Sequence, residues 1–494
     1  MKIVIGYPPL ESKKGTPLLS QNRQFQWFSS PTYIYPIVPA CAASLLKKAG
    51  YDVVWLDGIA ENWTFGQWIG KLKKENPDLL VIETKTPVVK KHWEIINKVS
   101  CQLLDVSCIL VGDHVTAMPE ESFKNSKVDY ILTGGNYDFL LLNLLRHLTK
   151  GEKLQPGIFS RKKLTSGSRK LATTGKFELN HNLNKIPFID RDLTKWKLYA
   201  FKNGNFQKTP GTYIMAGRDC WWRQKGGCSF CSWTTLYPEF NVRSVNNVLD
   251  EIGTLIKKYK VKEIMDDSGT FPAGKWLREF CRGMISRKYN IRINFDCNMR
   301  FGCLTPKDYQ LMARAGFRLL LFGLESANQK TIDRLNKGIK ADQIEKELKV
   351  IKNANQKYKG RLSPHLTCMV GYPWETLVDA QKTINLTKGF FQKGLIDTLQ
   401  ATIVIPYPGT KLFDYCKRNK LLKTLNWNKY DMKQPVIKTK ISDKKLLGFT
   451  RGIYASAITP AFMFRKVGSI RSFEDLLVLW KMGVKFAGHL WDFY

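Results

Sequence analysis

The stretch RDCWWRQKGGCSFCSW, Arg218 to Trp233, places Cys220, Cys228 and Cys231 within twelve residues. Thiols at that density bind one another or bind metal. A disulfide framework is disfavoured, because eleven cysteines in 494 residues are too sparse for a stapled secreted chain. A structural zinc site wants four ligands, usually from two Cys-x-x-Cys pairs. Here there is one such pair, Cys228 and Cys231; the nearest histidine before it is His181, and Cys281 is fifty residues beyond. Zinc would therefore need a distant fourth ligand. Three local thiolates suit a [4Fe–4S] cluster in which one iron lacks a protein ligand. Gly226 and Gly227 let the backbone wrap before the second thiolate, and Phe230 between the last two can shield a cluster.

A cluster needs elements to hold its loop. Over residues 1–150, the apolar runs KIVIGYP, DVVWLDG, DLLVIET, CILVGD and VDYILTG alternate with helical patterns. Near-continuous Val/Ile/Leu strands separated by helices predict a parallel, doubly wound sheet covered on both faces. Residues 151–205 read as a basic linker. Over 206–412 the runs TYIMAG, EIMDDSG, INFDCNM, LLLFGLES, HLTCMVGYP and LQATIVIPYPG form six strand–helix units, the pattern of a partial (β/α) barrel. Barrel function sits at the carboxyl ends of the strands. The Cys220 loop, Asp266–Asp267, Asn298–Arg300, Glu325 and Gly371–Glu375 all fall there. Residues 413–494 are expected to be a helical region ending in FEDLLVLWKMGVKFAGHLWDFY, which packs onto the barrel or lies at a membrane interface.

The net charge of +36 lies almost wholly after residue 150. A nucleic acid, an anionic lipid or a phosphorylated substrate would account for it; so would lysines on solvated faces, and no arginine-rich block favours nucleic acid. The apolar run that ends at Pro8–Pro9 is too short for a signal peptide, and no 18-residue apolar run exists. A cytoplasmic protein is expected, with association at an anionic membrane surface as the alternative.

The triad after a first barrel strand, with an aromatic before its last cysteine, resembles the radical S-adenosylmethionine (SAM) superfamily. The usual gaps are three and two residues; here they are seven and two, as in cobalamin-linked variants. The resemblance implies that the open iron chelates SAM. It assigns Glu325 of FGLESAN to the SAM amino group, and Asn298 and Arg300 of CNMR to the ribose or carboxylate. Phe230, Gly371 of MVGYPWET and Pro406 of IPYPGT are assigned to the adenine. Asp267 stands where many members carry a Gly-Gly-Glu run. Cys281, Cys297, Cys303 and Cys368 are expected to be structural.

The N-terminal domain resembles the cobalamin-binding class through VPACAASLLKKAGYDVVWLDG, VGDHVTAMPEE and VDYILTGG. Thr84, Thr86, Gly112, His114, Thr116, Gly134 and Gly135 are the candidate cobalamin contacts. Asp113 and His114 are adjacent, so the Asp-x-His-x-x-Gly signature that supplies histidine to cobalt is absent; His114 is expected to be a loop or nucleotide contact. The family implies reductive SAM cleavage, then methyl transfer to an unreactive carbon of a small-molecule or lipid substrate. Oxidation or cyclisation is the alternative within the class, and the electron would come from a flavodoxin or ferredoxin. An RNA-binding or structural protein with a non-catalytic cluster is the alternative of a different class.

Overall fold

The structure is a computed structural model that describes residues 1–18, 25–29, 31–163, 169–203, 206–358, 360–458 and isolated positions between 460 and 483. Its N-terminal sheet is built from β1 (Lys2–Tyr7), β2 (Asp52–Asp57), β3 (Leu79–Glu83), β4 (Ser107–Val111), β5 (Tyr130–Leu132), β6 (Ile158–Lys163) and β7 (Arg169–Thr173). The strand order is β2-β1-β3-β4-β5-β6-β7. The first five are parallel, with Ile3 beside Val53 and Leu79. Helices Ile37–Lys48, Phe65–Glu75, Val89–Gln102 and Tyr137–Lys150 connect them. This is the doubly wound layer that apolar strands buried on both faces require. Order reverses between β1 and β3, so the open crevice of such a sheet lies at their carboxyl ends.

The linker expected over 151–205 is corrected in part. β6 and β7 form an antiparallel hairpin that pairs with β5 and extends the sheet. A basic edge strand lacks the apolar run that marks a buried one, and its charge discourages edge-to-edge pairing.

The second sheet runs in chain order through β8 (Gly211–Ile214), β9 (Glu263–Asp266), β10 (Asn294–Met299), β11 (Phe317–Glu325), β12 (Ser363–Val370) and β13 (Thr398–Ile403), every pair parallel. It is the expected six-stranded partial barrel. Near the amino ends of the strands Arg318 is buried between Glu263 (2.7 Å) and Asp296 (2.6 Å), a paired charge that fixes three strands together. The pairing of β11 with β12 shifts register between Gly323 and Glu325, and Glu325 has φ of 65°. Such an irregularity re-aims the last side chain of the strand.

Over the described residues 413–458 the chain is less helical than expected. Helix Lys411–Arg418 is followed by an irregular stretch with one 3₁₀ turn at Trp427–Lys429, then by helix Asp443–Ala455. The Tyr454 hydroxyl donates to the Ala401 carbonyl (3.1 Å), so that helix does pack on the barrel. The aromatic segment from Phe473 onward lies almost entirely outside the described residues.

Candidate active site at the barrel mouth

After β8, Gly217–Arg218 pairs antiparallel with Asn241–Val242, and Asp219 turns the chain with φ of 69° into Cys220. A 3₁₀ turn, Trp221–Lys225, fills the long gap between the first two cysteines. Gly226 and Gly227 follow with φ of 85° and 66°, a left-handed pair that only glycine adopts at little cost. The start of this loop is pinned by Asp266, whose carboxylate accepts from the Ala216 (2.6 Å) and Ser268 (2.9 Å) amides. Burial pushes that carboxyl up to about 6.

Three cations converge on the thiols. Arg223 donates to Cys231 Sγ (3.4 Å), and Arg300 Nη1 lies 3.8 Å from Cys228 Sγ. Burial holds the Cys228 thiol above its ordinary range; Lys337 and Arg300 pull the other way, and Cys231 and Cys220 add to the rise. Cys220 Sγ is 3.0 Å from the Thr270 hydroxyl. Sulfurs that feel one another, beside three positive charges, form a donor set suited to an anionic iron–sulfur cluster. Among the described residues no three such side chains stand together closely enough to hold one metal ion, so it is the chemistry of this donor set and its place on one loop that fit that group.

Glu325 is 5% exposed, and Lys337 Nζ meets its Oε1 at 2.6 Å. The same ammonium lies 5.8 Å from the centre of the Phe230 ring. Glu325 thus sits in a buried ion pair next to the cysteine loop and does not cap the following helix, whose cap is Asn328. Sequence reading missed Lys337 and Arg223. Lys337 follows Glu325 by twelve residues, across a helix and a turn, and no local period links the two.

The other candidates are placed less uniformly. Arg300 is committed to the cysteine loop: it donates to the Lys337 carbonyl and stacks 4.2 Å from the Trp222 ring, so it clamps that loop. Asn298 donates to the Ser268 carbonyl (2.9 Å), and the Asp267 amide donates to the Ile214 carbonyl (2.9 Å). Gly371 has φ of 98°, and its amide donates to Glu375 (2.7 Å). Pro406 is buried just past β13. Trp222 faces the barrel, because its indole donates to the Asn336 carbonyl (2.7 Å). Cys281, Cys297 and Cys368 are buried, and Cys303 is bonded to the Arg300 carbonyl (2.9 Å).

The seven candidate cobalamin contacts gather at the carboxyl ends of β3, β4 and β5, but they hold one another. Thr84 meets His92 (2.7 Å), Thr86 meets His114 (3.2 Å), and Thr116 bonds the Gly112 carbonyl (2.7 Å) and the Gly134 amide (3.0 Å). A side chain at Gly112 would strike the Thr84 carbonyl, one at Gly134 the Phe177 ring and one at Gly135 the Tyr237 ring. The other nitrogen of His114 pairs with Glu121 (3.2 Å), and its ring packs 5.3 Å from Trp427. His114 therefore has no nitrogen left for a metal. Buried, engaged hydroxyls and close-packed glycines make these residues the framework of this edge.

The edge is also wired to the cysteine loop. Arg218 pairs with Asp138 (2.6 Å) and donates to the Gly135 carbonyl (2.9 Å). The Tyr237 hydroxyl reaches that same carbonyl (3.0 Å), and the Gly135 amide bonds the Leu236 carbonyl (2.9 Å).

Residues 216–387 match the radical SAM superfamily; this part of the chain is a radical SAM domain. An uncharacterized methyltransferase of Pyrococcus horikoshii is 27% identical over 441 residues, 89% of this chain and 88% of its own length. The anaerobic magnesium-protoporphyrin IX monomethyl ester cyclase of Rubrivivax gelatinosus is 22% identical over 417 residues, 83% of this chain and 71% of its own. The radical SAM methyltransferase TsrM of Kitasatospora setae, solved with cobalamin and a [4Fe–4S] cluster bound, shares the fold. It aligns with TM-score 0.67 at 13% identity over 93% of this chain and 89% of that one.

Proposed function

We propose that the chain is a cobalamin-dependent radical SAM enzyme that cleaves SAM reductively and acts on an unactivated carbon, with methyl transfer as the reaction. The observation that carries this reading is the thiol set: three cysteines, three cations and the Glu325–Lys337 pair at one barrel mouth. Together the cofactors supply the electron that splits a carbon–sulfur bond of SAM and the methyl group that is moved, chemistry no side chain provides. What the chain supplies is position and exclusion of water. Cys220, Cys228 and Cys231 would hold the cluster and leave one iron for SAM. Arg223, Arg300 and Lys337 offset its negative charge. Glu325, once Lys337 yields, is the acceptor for the SAM ammonium. The crevice of the N-terminal sheet would seat the corrinoid without a metal ligand from His114, whose two ring nitrogens are both bonded.

The substrate is a small molecule, and the electron comes from a flavodoxin- or ferredoxin-type protein. Among the described residues no helix is long and apolar enough to cross a membrane, and the basic barrel half suits an anionic substrate or membrane surface. The similarity to the cyclase favours a second reading, anaerobic oxidation or ring closure at the same site. Anaerobic reconstitution tests both. Reduced protein should convert SAM to 5′-deoxyadenosine, and Cys220→Ala should lose the iron and the activity together. Methyl-labelled SAM should leave label in the corrinoid fraction; none there supports cyclisation. Four irons without SAM cleavage would sink the enzyme reading in favour of a structural cluster.

A further inference from the structure

Tyr372 is fully buried, yet its hydroxyl has no hydrogen-bond partner among the described residues. Buried tyrosine hydroxyls ordinarily find one. The ring cannot swing away to seek a partner. It stacks on Trp374 at 5.7 Å with the planes 13° apart. Trp374 is itself held by a bond to the Thr331 hydroxyl (3.2 Å) and by Arg334 over its face at 5.3 Å. Gly371, with φ of 98°, turns the chain at the end of β12 and so sets the direction of the ring. Glu325 at the end of β11 is in register with Cys368 on β12, four residues before Tyr372, and of the charged groups that act on the phenol Glu325 is the strongest, followed by Glu375, Cys228 and Cys368. The phenol therefore lies at the same strand ends as the carboxylate assigned to the SAM ammonium. Burial first, then Glu325, holds it well above its ordinary pKa, so it remains a donor at every working pH.

We infer that the Tyr372 hydroxyl binds the amino-acid end of SAM, donating a hydrogen bond to its carboxylate. The inference rests on the function proposed above. Glu325 can accept from the ammonium but cannot serve the carboxylate of the same ligand. A neutral donor beside it completes the match, and a phenylalanine at this position could not.

The test uses the full-length, anaerobically reconstituted protein with Tyr372→Phe, and measures SAM affinity by calorimetry. Y372F should keep its four irons and melt no lower than the parent, since the deleted oxygen has no protein partner. Its affinity for SAM should fall about tenfold, the size of one lost hydrogen bond to a charged group. Decarboxylated SAM should bind both proteins alike. SAM affinity within twofold of the parent overturns the inference. So does equal weakening with decarboxylated SAM, and so does loss of iron, which would place the hydroxyl in the support of the cluster. A parent protein that neither binds nor cleaves SAM refutes the functional reading instead, and that result is visible before any variant is made.

Discussion

Glu375 is fully buried in the loop after β12; its Oε2 accepts from the Gly371 amide (2.7 Å), and its Oε1 has no partner among the described residues. Burial pushes its carboxyl from the ordinary 4.5 up to about 7. An acid that holds its proton more tightly when folded stabilises the fold at low pH. Between pH 4.5 and 7 the unfolded chain has released a proton that the native chain keeps. Stability therefore falls as pH rises, and the loss is complete above pH 7. A shift of that size corresponds to about 3 kcal/mol. Glu375→Gln has no proton to release and should lose this slope. The assay is the melting temperature of cluster-free parent and variant at pH 5 and pH 8. For a domain of this size the parent should lose roughly 6–12 °C more than the variant between the two. Asp57 and Asp266, also pushed up to about 6 by burial, titrate in both proteins and cancel in the difference. Equal pH dependence in parent and variant would refute the reasoning.

Two further outcomes follow from the same charges. Lys337→Met removes a cation beside Cys228 and leaves Glu325 unpaired; the midpoint potential of the cluster should become more negative, on the order of 60 mV, a tenfold change for a one-electron couple. Redox titration followed by electron paramagnetic resonance reads it, and an unchanged potential would show that Lys337 serves Glu325 alone. Arg218→Met strands Asp138 in the domain interface, at a cost of about 3–5 kcal/mol. Hydrogen exchange at residues 134–140 should accelerate, and unaltered protection there would mean that the pair does not hold the two domains together.

The sequence made the strands legible because alternation of apolar runs with helical periods is local. All eleven apolar runs that it marked are strands in the two main sheets. The hairpin of β6 and β7 was invisible because its lysines and arginines erase the apolar signal that a covered strand carries. That the three cysteines share one loop could be read from spacing alone, and that Glu325 lies at the end of a barrel strand from its motif. Their partners could not. Lys337, Arg223 and Tyr372 reach the site through turns whose geometry no period encodes. Thr84 and Thr86, marked as candidate cofactor contacts, lie just past the end of β3, but a hydroxyl does not announce its partner, and two histidines claim these two.

The seven-residue gap between Cys220 and Cys228 is where those two kinds of information meet. In sequence it is a departure from the usual spacing; in the fold it becomes the 3₁₀ turn Trp221–Lys225. That turn carries Trp222 toward the barrel, to the Asn336 carbonyl and under Arg300, while Arg218, just before the first cysteine, runs the other way to Asp138. The loop that carries the cysteines is thus anchored on both sides, at its start to the N-terminal domain through Arg218 and in its turn to the barrel through Trp222.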